Sequence, residues 1–227
     1  EVAAEKAGII KPGSDVVCAM GQESAALSVI EQACTTQGAV LHFADKAQLC
    51  NVSTNIDGTV FQYKGKPYCT PMIGEHQAEN AACALETVKI LRSKGLILPE
   101  EAVRRGLGCA KIRGRLDVAA QDPVMIVDGA HNPAAAGVLK RALRIFGQRP
   151  RVAVMAVMQD KDYYSVVHTI AGCCDALVCC AVPDMPRSCT AEEICQAGKE
   201  VCKHCETADT VSEALLRART LAGKNGL

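Results

Sequence analysis

The spacing of apolar residues divides the chain. Residues 1–8 are Ala-rich with no breaker before Gly8, which predicts the end of a helix, and Pro12-Gly13 predicts a turn. Residues 15–20 are an apolar run of strand length. Residues 23–36 place Ala26, Ile30 and Ala33 on one helical face, and residues 40–43 read as a second strand. Alternation takes over in residues 50–73, where Asp57-Gly58 and Lys64-Gly65 are turn candidates of a hairpin region. Helical spacing returns over residues 76–93, with Ala81, Leu85, Val88 and Leu91 inward and Lys94-Gly95 closing the helix. A further helix is predicted from Pro99 to about Gly106.

From Leu116 onward short apolar runs alternate with helical patterns. Strands are predicted at 124–127, 152–157 and 176–181, and helices at 133–146 and 163–171. The box Thr190-Ala191-Glu192-Glu193 starts a helix to about Gly198, and Thr210-Val211-Ser212-Glu213 starts the last one. Continuous apolar strands between helices imply a parallel sheet covered on both faces. The fold class is therefore α/β, with a boundary near Arg113-Gly114-Arg115 separating domains 1–112 and 113–227. Neither repeats nor low-complexity tracts interrupt it. A series of this kind normally feeds another strand, so the chain is expected to stop one strand short and to begin inside a helix.

Composition narrows the function. Of 227 residues 49% are hydrophobic, enough for a core, and 25 basic residues balance 25 acidic ones. Zero net charge argues against a nucleic-acid binder, which needs a basic surplus to displace counterions. Aromatics at 3%, with no Trp, argue against base stacking. No apolar run reaches the roughly 18 residues that span a bilayer, and the charged start is unlike a signal peptide. The expectation is a cytoplasmic protein without membrane partners. Fourteen cysteines lie mostly in apolar runs such as Cys173-Cys174 and Cys179-Cys180, where a free thiol is a small hydrophobe. Cys195, Cys202, His204 and Cys205 form the tightest cluster, but a pair of zinc knuckles is missing.

Asp128-Gly129-Ala130-His131-Asn132-Pro133 is the most informative segment, because it joins the end of a strand to the start of a helix, where open α/β sheets bind ligands. Asp128 suits a ribose hydroxyl or a metal-bound water, and His131 suits a phosphate or carboxylate. The plainer reading is Asp128 as a turn residue and Asn132 as an N-cap before Pro133. Arg115, beside Gly114 at the junction, suits phosphates or is a solvated linker residue. Gln77 and Asn80 share a helical face that suits an adenine edge, or they are merely a polar helix start. Lys6 ends a small-residue helix, where a lysine is ordinarily a surface residue. Gly8 to Ser14 imitates a phosphate loop, but Ser14 stands where its lysine belongs.

Together Glu5-Lys6-Ala7-Gly8-Ile9-Ile10-Lys11, His76-Gln77 with Asn80-Ala81-Ala82, Gly114-Arg115-Leu116-Asp117, Asp128-Gly129-Ala130-His131-Asn132-Pro133, Asp160-Lys161-Asp162 and Pro186-Arg187-Ser188 resemble the folylpolyglutamate synthase and dihydrofolate synthase family of the Mur ligase superfamily. Muramyl peptide ligases look more like Asp-Tyr-Ala-His at the fourth motif, which favours the folate branch. The resemblance implies a Rossmann-like ligase domain at 113–227, preceded by the trailing part of a central ATPase domain. It implies ATP and Mg2+ as cofactors, folate and glutamate as substrates, an acyl-phosphate intermediate and a monomeric full enzyme. It further implies Lys6 as a carbamylated lysine, Asn80 near adenine, Arg115 on the ATP phosphates, Asp128 on the ribose side, and His131 near the phosphate and incoming glutamate.

The family's glycine-rich loop and metal ligands would precede Glu1, and its last strand would follow Leu227. The 227 residues alone are therefore expected to lack ligase activity. Dihydropteroate as a second acceptor stays open. A stand-alone, non-catalytic binding module is the alternative from another class.

Overall fold

The computed structural model describes residues 2–147 and 150–227, which form two compact units, 1–111 and 112–227. In the first, α1 (Val2–Ala7), β1 (Asp15–Cys18), α2 (Ser24–Gln37) and β2 (Val40–Phe43) make an α/β start with β1 and β2 parallel. The face of α2 marked by Ala26, Ile30 and Ala33 is half-buried, and Cys34 beside it is fully so. Gly8 to Ser14 connects a helix to a following strand, whereas a phosphate loop connects a strand to a following helix. Chain order thus removes the imitation as well.

An antiparallel meander follows, β3 (Leu49–Asn55), β4 (Gly58–Tyr63) and β5 (Lys66–Thr70), in that spatial order. The first turn is centred on Ile56 and Asp57, one residue earlier than expected, because Asn55 Oδ1 accepts the Asp57 N–H at 2.8 Å. Gly58 opens β4 at φ +137°, where a Cβ would collide with the Thr70 carbonyl. Against the meander packs α3 (Glu75–Ser93), and α4 (Glu100–Gly108) follows. Phe61, Tyr63, Ala78, Ala81 and Ala82 form the core. The buried face of α3 also carries Gln77 and Glu86, while Leu85, Val88 and Leu91 are only half-buried. Leu85 and Val88 instead line a 270 Å³ cleft toward α4. Small alanines let the helix approach the meander, and Glu86 is tolerated because the Tyr63 hydroxyl donates to it at 2.7 Å and Lys64 pairs with it.

The second unit begins with an antiparallel pair, β6 (Asp117–Gln121) and β7 (Val124–Val127), joined by a cis Asp122-Pro123 bond. The expectation that residues 124–127 belong to the parallel series is therefore corrected: a two-residue turn leaves no room for the crossover that a parallel pair needs. The parallel sheet itself is β8 (Val152–Met155), β9 (Ala176–Cys179) and β10 (His204–Thr207), ordered β10-β9-β8. Its helices are α5 (Pro133–Ala142, continued by a 3-10 turn), α6 (Tyr163–Ala171), α7 (Ala191–Lys199) and α8 (Val211–Ala222). All four residues of β9 are buried. Leu177 and Cys179 join the core formed with α6 and α7, and Val178 joins the one formed with α8. Period-two alternation on a strand covered by helices requires apolar residues at every position.

All fourteen cysteines are free, and seven of them, including Cys179, Cys180 and Cys195, are buried. None of the described helices is long and apolar enough to cross a membrane.

Candidate functional site

Two loops of the second unit meet where β7 ends. Asp128 Oδ1 accepts the Ala130 N–H at 2.8 Å, and Oδ2 accepts the Leu116 N–H at 2.8 Å. The Gly129 N–H donates to the Gly114 carbonyl at 2.8 Å. Residues 114–116 and 128–130 are thus stitched together by two bonds, one of them strengthened by the carboxylate charge, while the Asp128–Ala130 bond stiffens the second loop from within. Gly114 lies at φ +72° and Leu116 at φ +45°. The left-handed region costs a leucine roughly 1–2 kcal/mol. Burial of the Leu116 side chain, 4% exposed, and the bond to Asp128 offset that cost. Between these two residues Arg115 is exposed, and its guanidinium has no partner among the described residues.

The second loop presents His131. Its Nδ1 lies 2.8 Å from the Gly129 carbonyl, which only accepts, so Nδ1 carries the proton of the neutral ring. Nε2 is then the basic nitrogen, and it has no partner among the described residues. Asn132 Oδ1 accepts the Ala135 N–H at 2.9 Å and caps α5 ahead of Pro133. The plain and functional readings of this segment coexist: Asp128 and Asn132 build the loop, and His131 is what the loop offers to solvent.

Asn80 and Lys6 lie in the first unit. Asn80 is exposed on α3, and its Nδ2 donates to Gln77 Oε1 at 3.0 Å. Gln77 is buried and pairs in turn with His76 Nε2 at 2.9 Å. Lys6 is exposed on α1 without an ion pair among the described residues. Of the five predicted residues, Arg115, Asp128 and His131 thus lie on the two tied loops of the second unit, and Asn80 and Lys6 on α3 and α1 of the first.

At the carboxyl edge of the parallel sheet, residues 157–162 and 185–190 are joined by the Gln159 N–H to the Arg187 carbonyl at 2.8 Å and by Arg187 Nη1 to Asp160 at 2.9 Å. Asp162 caps α6 by accepting the Ser165 N–H at 3.1 Å, and the Ser165 hydroxyl, then this N–H, hold its carboxyl below the usual range. The motifs at 160–162 and 186–188 therefore have structural work within the sheet edge. The sequence reading missed that pairing, and also missed Leu116 as the residue on which Asp128 acts.

No three His, Cys, Asp or Glu side chains among the described residues converge to hold an ion. In the suspected zinc cluster, Cys202 Sγ points to the Cys174 and His204 carbonyls at 3.6 and 3.4 Å. His204 is drawn to Glu206 at 3.7 Å. Burial pushes the Cys205 thiol up to about 12, away from the thiolate that zinc requires. These contacts use the cluster to pack the region between α7 and β10.

Residues 114–227 match the Mur ligase, glutamate ligase domain. The chain belongs to the Mur ligase family. Over 220 residues, 94% of its length, it is 27% identical to the folylpolyglutamate synthase of Lacticaseibacillus casei, of which it covers 50%. Over 207 residues, 88% of its length, it is 29% identical to the dihydrofolate synthase/folylpolyglutamate synthase of Bacillus subtilis, of which it covers 48%. Among solved structures, it superimposes on the Mycobacterium tuberculosis folylpolyglutamate synthase complexed with ADP and AMPPCP with a TM-score of 0.84 and 28% identity, over 97% of this chain and 52% of that one. This Mur ligase chain thus spans about half the length of the curated relatives it matches. The match begins at Gly114, the first residue of the stitched loop that carries Arg115.

Proposed function

We propose that the chain is part of an ATP-dependent ligase that joins L-glutamate to a folate. The carrying observation is Arg115: a cation exposed and unpartnered among the described residues, on a turn fixed at both sides, tied to the loop that carries His131 and at the start of the glutamate ligase domain. An exposed guanidinium with no partner to give up is suited to a phosphate, and its fixed backbone confines the ordering needed on binding to the side chain. The named relatives are folylpolyglutamate synthases, and one was solved with ADP.

In this reading ATP converts the folate carboxylate into an acyl phosphate. The amine of glutamate attacks the acyl carbon, phosphate leaves, and an amide forms with loss of a proton. Arg115 meets the nucleotide phosphates, Asp128 stands on their ribose side, and Asn80 lies near the adenine. His131, through Nε2, meets the phosphate or the incoming amino acid. Lys6 in its carbamylated form is an anion of the metal-binding half. The described residues fit phosphates, but they do not offer a carboxylate set for magnesium, and no step is assigned to that ion. The 227 residues alone are inactive in this reading, since no segment of them has the sequence of a phosphate loop.

The test is ADP release from ATP, a reduced folate and glutamate by the whole protein that carries this chain, against Arg115→Ala. Glutamate-dependent release that Arg115→Ala lowers at least tenfold is expected. Release that does not depend on folate, or that is indifferent to Arg115, overturns the assignment. Robust turnover by the 227 residues alone overturns their dependence on the remainder.

A further inference from the structure

We infer that Asp128 is a positioning residue for Arg115, acting through the backbone of Leu116, and that its effect on nucleotide binding is exerted on the phosphates. The inference rests on the nucleotide reading above and assigns a role within that site. Both Asp128 oxygens already hold backbone N–H groups at 2.8 Å, one on its own loop and one across on Leu116. The Leu116 bond is not incidental. It falls on the residue immediately after Arg115, and that residue is held at φ +45°, which leucine abandons when nothing enforces it. On the other side of Arg115, Gly114 is fixed through its carbonyl by the Gly129 N–H, so the arginine stands between two anchored neighbours. Among the described residues the Arg115 side chain makes no bond that would hold it. The region its guanidinium can reach is therefore set by its backbone, and that backbone is held on the Leu116 side by Asp128. Removing the carboxylate lets Leu116 relax to an ordinary conformation and swings the guanidinium away from where the turn now presents it.

The chemistry separates this role from a direct ribose contact. A carboxylate that touches ribose hydroxyls contributes nothing to a ligand without ribose. A carboxylate that aims an arginine contributes to any polyphosphate, and contributes nothing once the arginine is gone.

Affinity for ATP and for inorganic tripolyphosphate is therefore measured by calorimetry on wild type, Asp128→Asn, Arg115→Ala and the double variant. The asparagine keeps the size of the side chain but can accept only one of the two N–H bonds. Asp128→Asn is expected to weaken both ligands by the same factor, roughly tenfold, and to add no loss to Arg115→Ala. Hydrogen exchange at the Leu116 amide, slow in wild type, is expected to become fast in Asp128→Asn and stay slow in Arg115→Ala. A loss seen with ATP and absent with tripolyphosphate, or one that persists in full on the Arg115→Ala background, overturns the inference in favour of a ribose contact. A Leu116 amide that stays slow in Asp128→Ala, which has no acceptor left, overturns it at the level of structure. If wild type binds neither ligand while the amide responds as expected, the nucleotide reading is what fails, and the Asp128–Leu116 anchor stands as a feature of the fold.

Discussion

The carboxylate of Asp128 holds the backbone N–H of Leu116 at 2.8 Å, across twelve residues of chain that include the whole β6–β7 hairpin. The bond closes the hairpin at its open end, as a clasp between the two residues that flank it. Asp128→Ala leaves the Leu116 and Ala130 N–H groups without their acceptor. Each half-buried donor left unmet costs about 1–3 kcal/mol, and the strain at Leu116 is no longer opposed. Chemical denaturation is expected to show a loss of about 2–3 kcal/mol. A loss under about 0.5 kcal/mol, the range of ordinary surface changes, is incompatible with the clasp.

Arg115 gives the opposite pattern. It is exposed and supports no neighbour, so Arg115→Ala is expected to leave the denaturation midpoint unchanged, within about 0.5 kcal/mol. Its effect belongs to ligands. Arg115→Lys keeps the charge but not the planar fork, and is expected to recover only part of the polyphosphate affinity lost in Arg115→Ala. Full recovery by lysine would mean that charge alone is used; a large stability change in Arg115→Ala would mean that the residue is structural.

How much of this could be read from residues alone depends on where the determining information lies. β9 was legible because a central strand demands apolar residues at every position, and Ala176 to Cys179 supply them. α7 was legible from Thr190 and Glu193, whose reciprocal cap is present in full. β10 was missed because His204-Cys205-Glu206-Thr207 lacks an apolar run. It is an edge strand, defined by pairing with β9. The second box was only half right: Thr210 accepts the Glu213 N–H, but the Glu213 carboxylate takes the Asp209 N–H and Arg217 instead. At the candidate site, Asp128 and His131 stand out by residue type at a strand end, and Arg115 by its place beside Gly114 at the domain junction. The link between Arg115 and Asp128 does not, because it runs through the amide of Leu116, and a leucine gives no sign of a left-handed backbone.

The first unit is expected to be stable over a pH range that two tyrosine–carboxylate pairs define. Tyr63 donates to Glu86 at 2.7 Å and Tyr68 donates to Glu100 at 2.8 Å. Burial, reinforced by the adjacent carboxylate, pushes both phenols from 10.0 up to about 12. The native state thus keeps its phenolic protons longer than the unfolded chain. The stabilisation is complete below pH 10 and is lost as pH rises toward 12. The carboxyls shift the other way. Glu100 is held below its ordinary range by the Tyr68 hydroxyl and then by Lys66. For Glu86 burial works upward but Lys64 and Tyr63 outweigh it, so it also lies low. Their contribution is present above the ordinary carboxylate range and is lost as pH falls through the depressed values. Denaturation midpoints across pH are expected to form a plateau with shoulders on both sides, and Tyr63→Phe with Tyr68→Phe to flatten the alkaline one. An alkaline shoulder that survives in the double phenylalanine variant would place its origin elsewhere.

Two helical glycines are expected to respond in opposite directions to alanine. Gly198 lies in the last turn of α7, where the helix is expected to end, and is buried against the sheet. A Cβ there would stand 3.3 Å from Cys205 Sγ and closer still to the fully buried Leu177. Leu177 has no room to yield, so overpacking of about 1–3 kcal/mol outweighs the gain in helix propensity of about 1 kcal/mol. Gly106, within α4, has nothing within 4 Å of the same position, and there only the propensity gain remains. Urea denaturation is expected to show Gly198→Ala destabilised by about 1–2 kcal/mol and Gly106→Ala stabilised by about 0.5–1 kcal/mol. If both variants were stabilised alike, α7 would have to stand further from β9 than its small residues indicate.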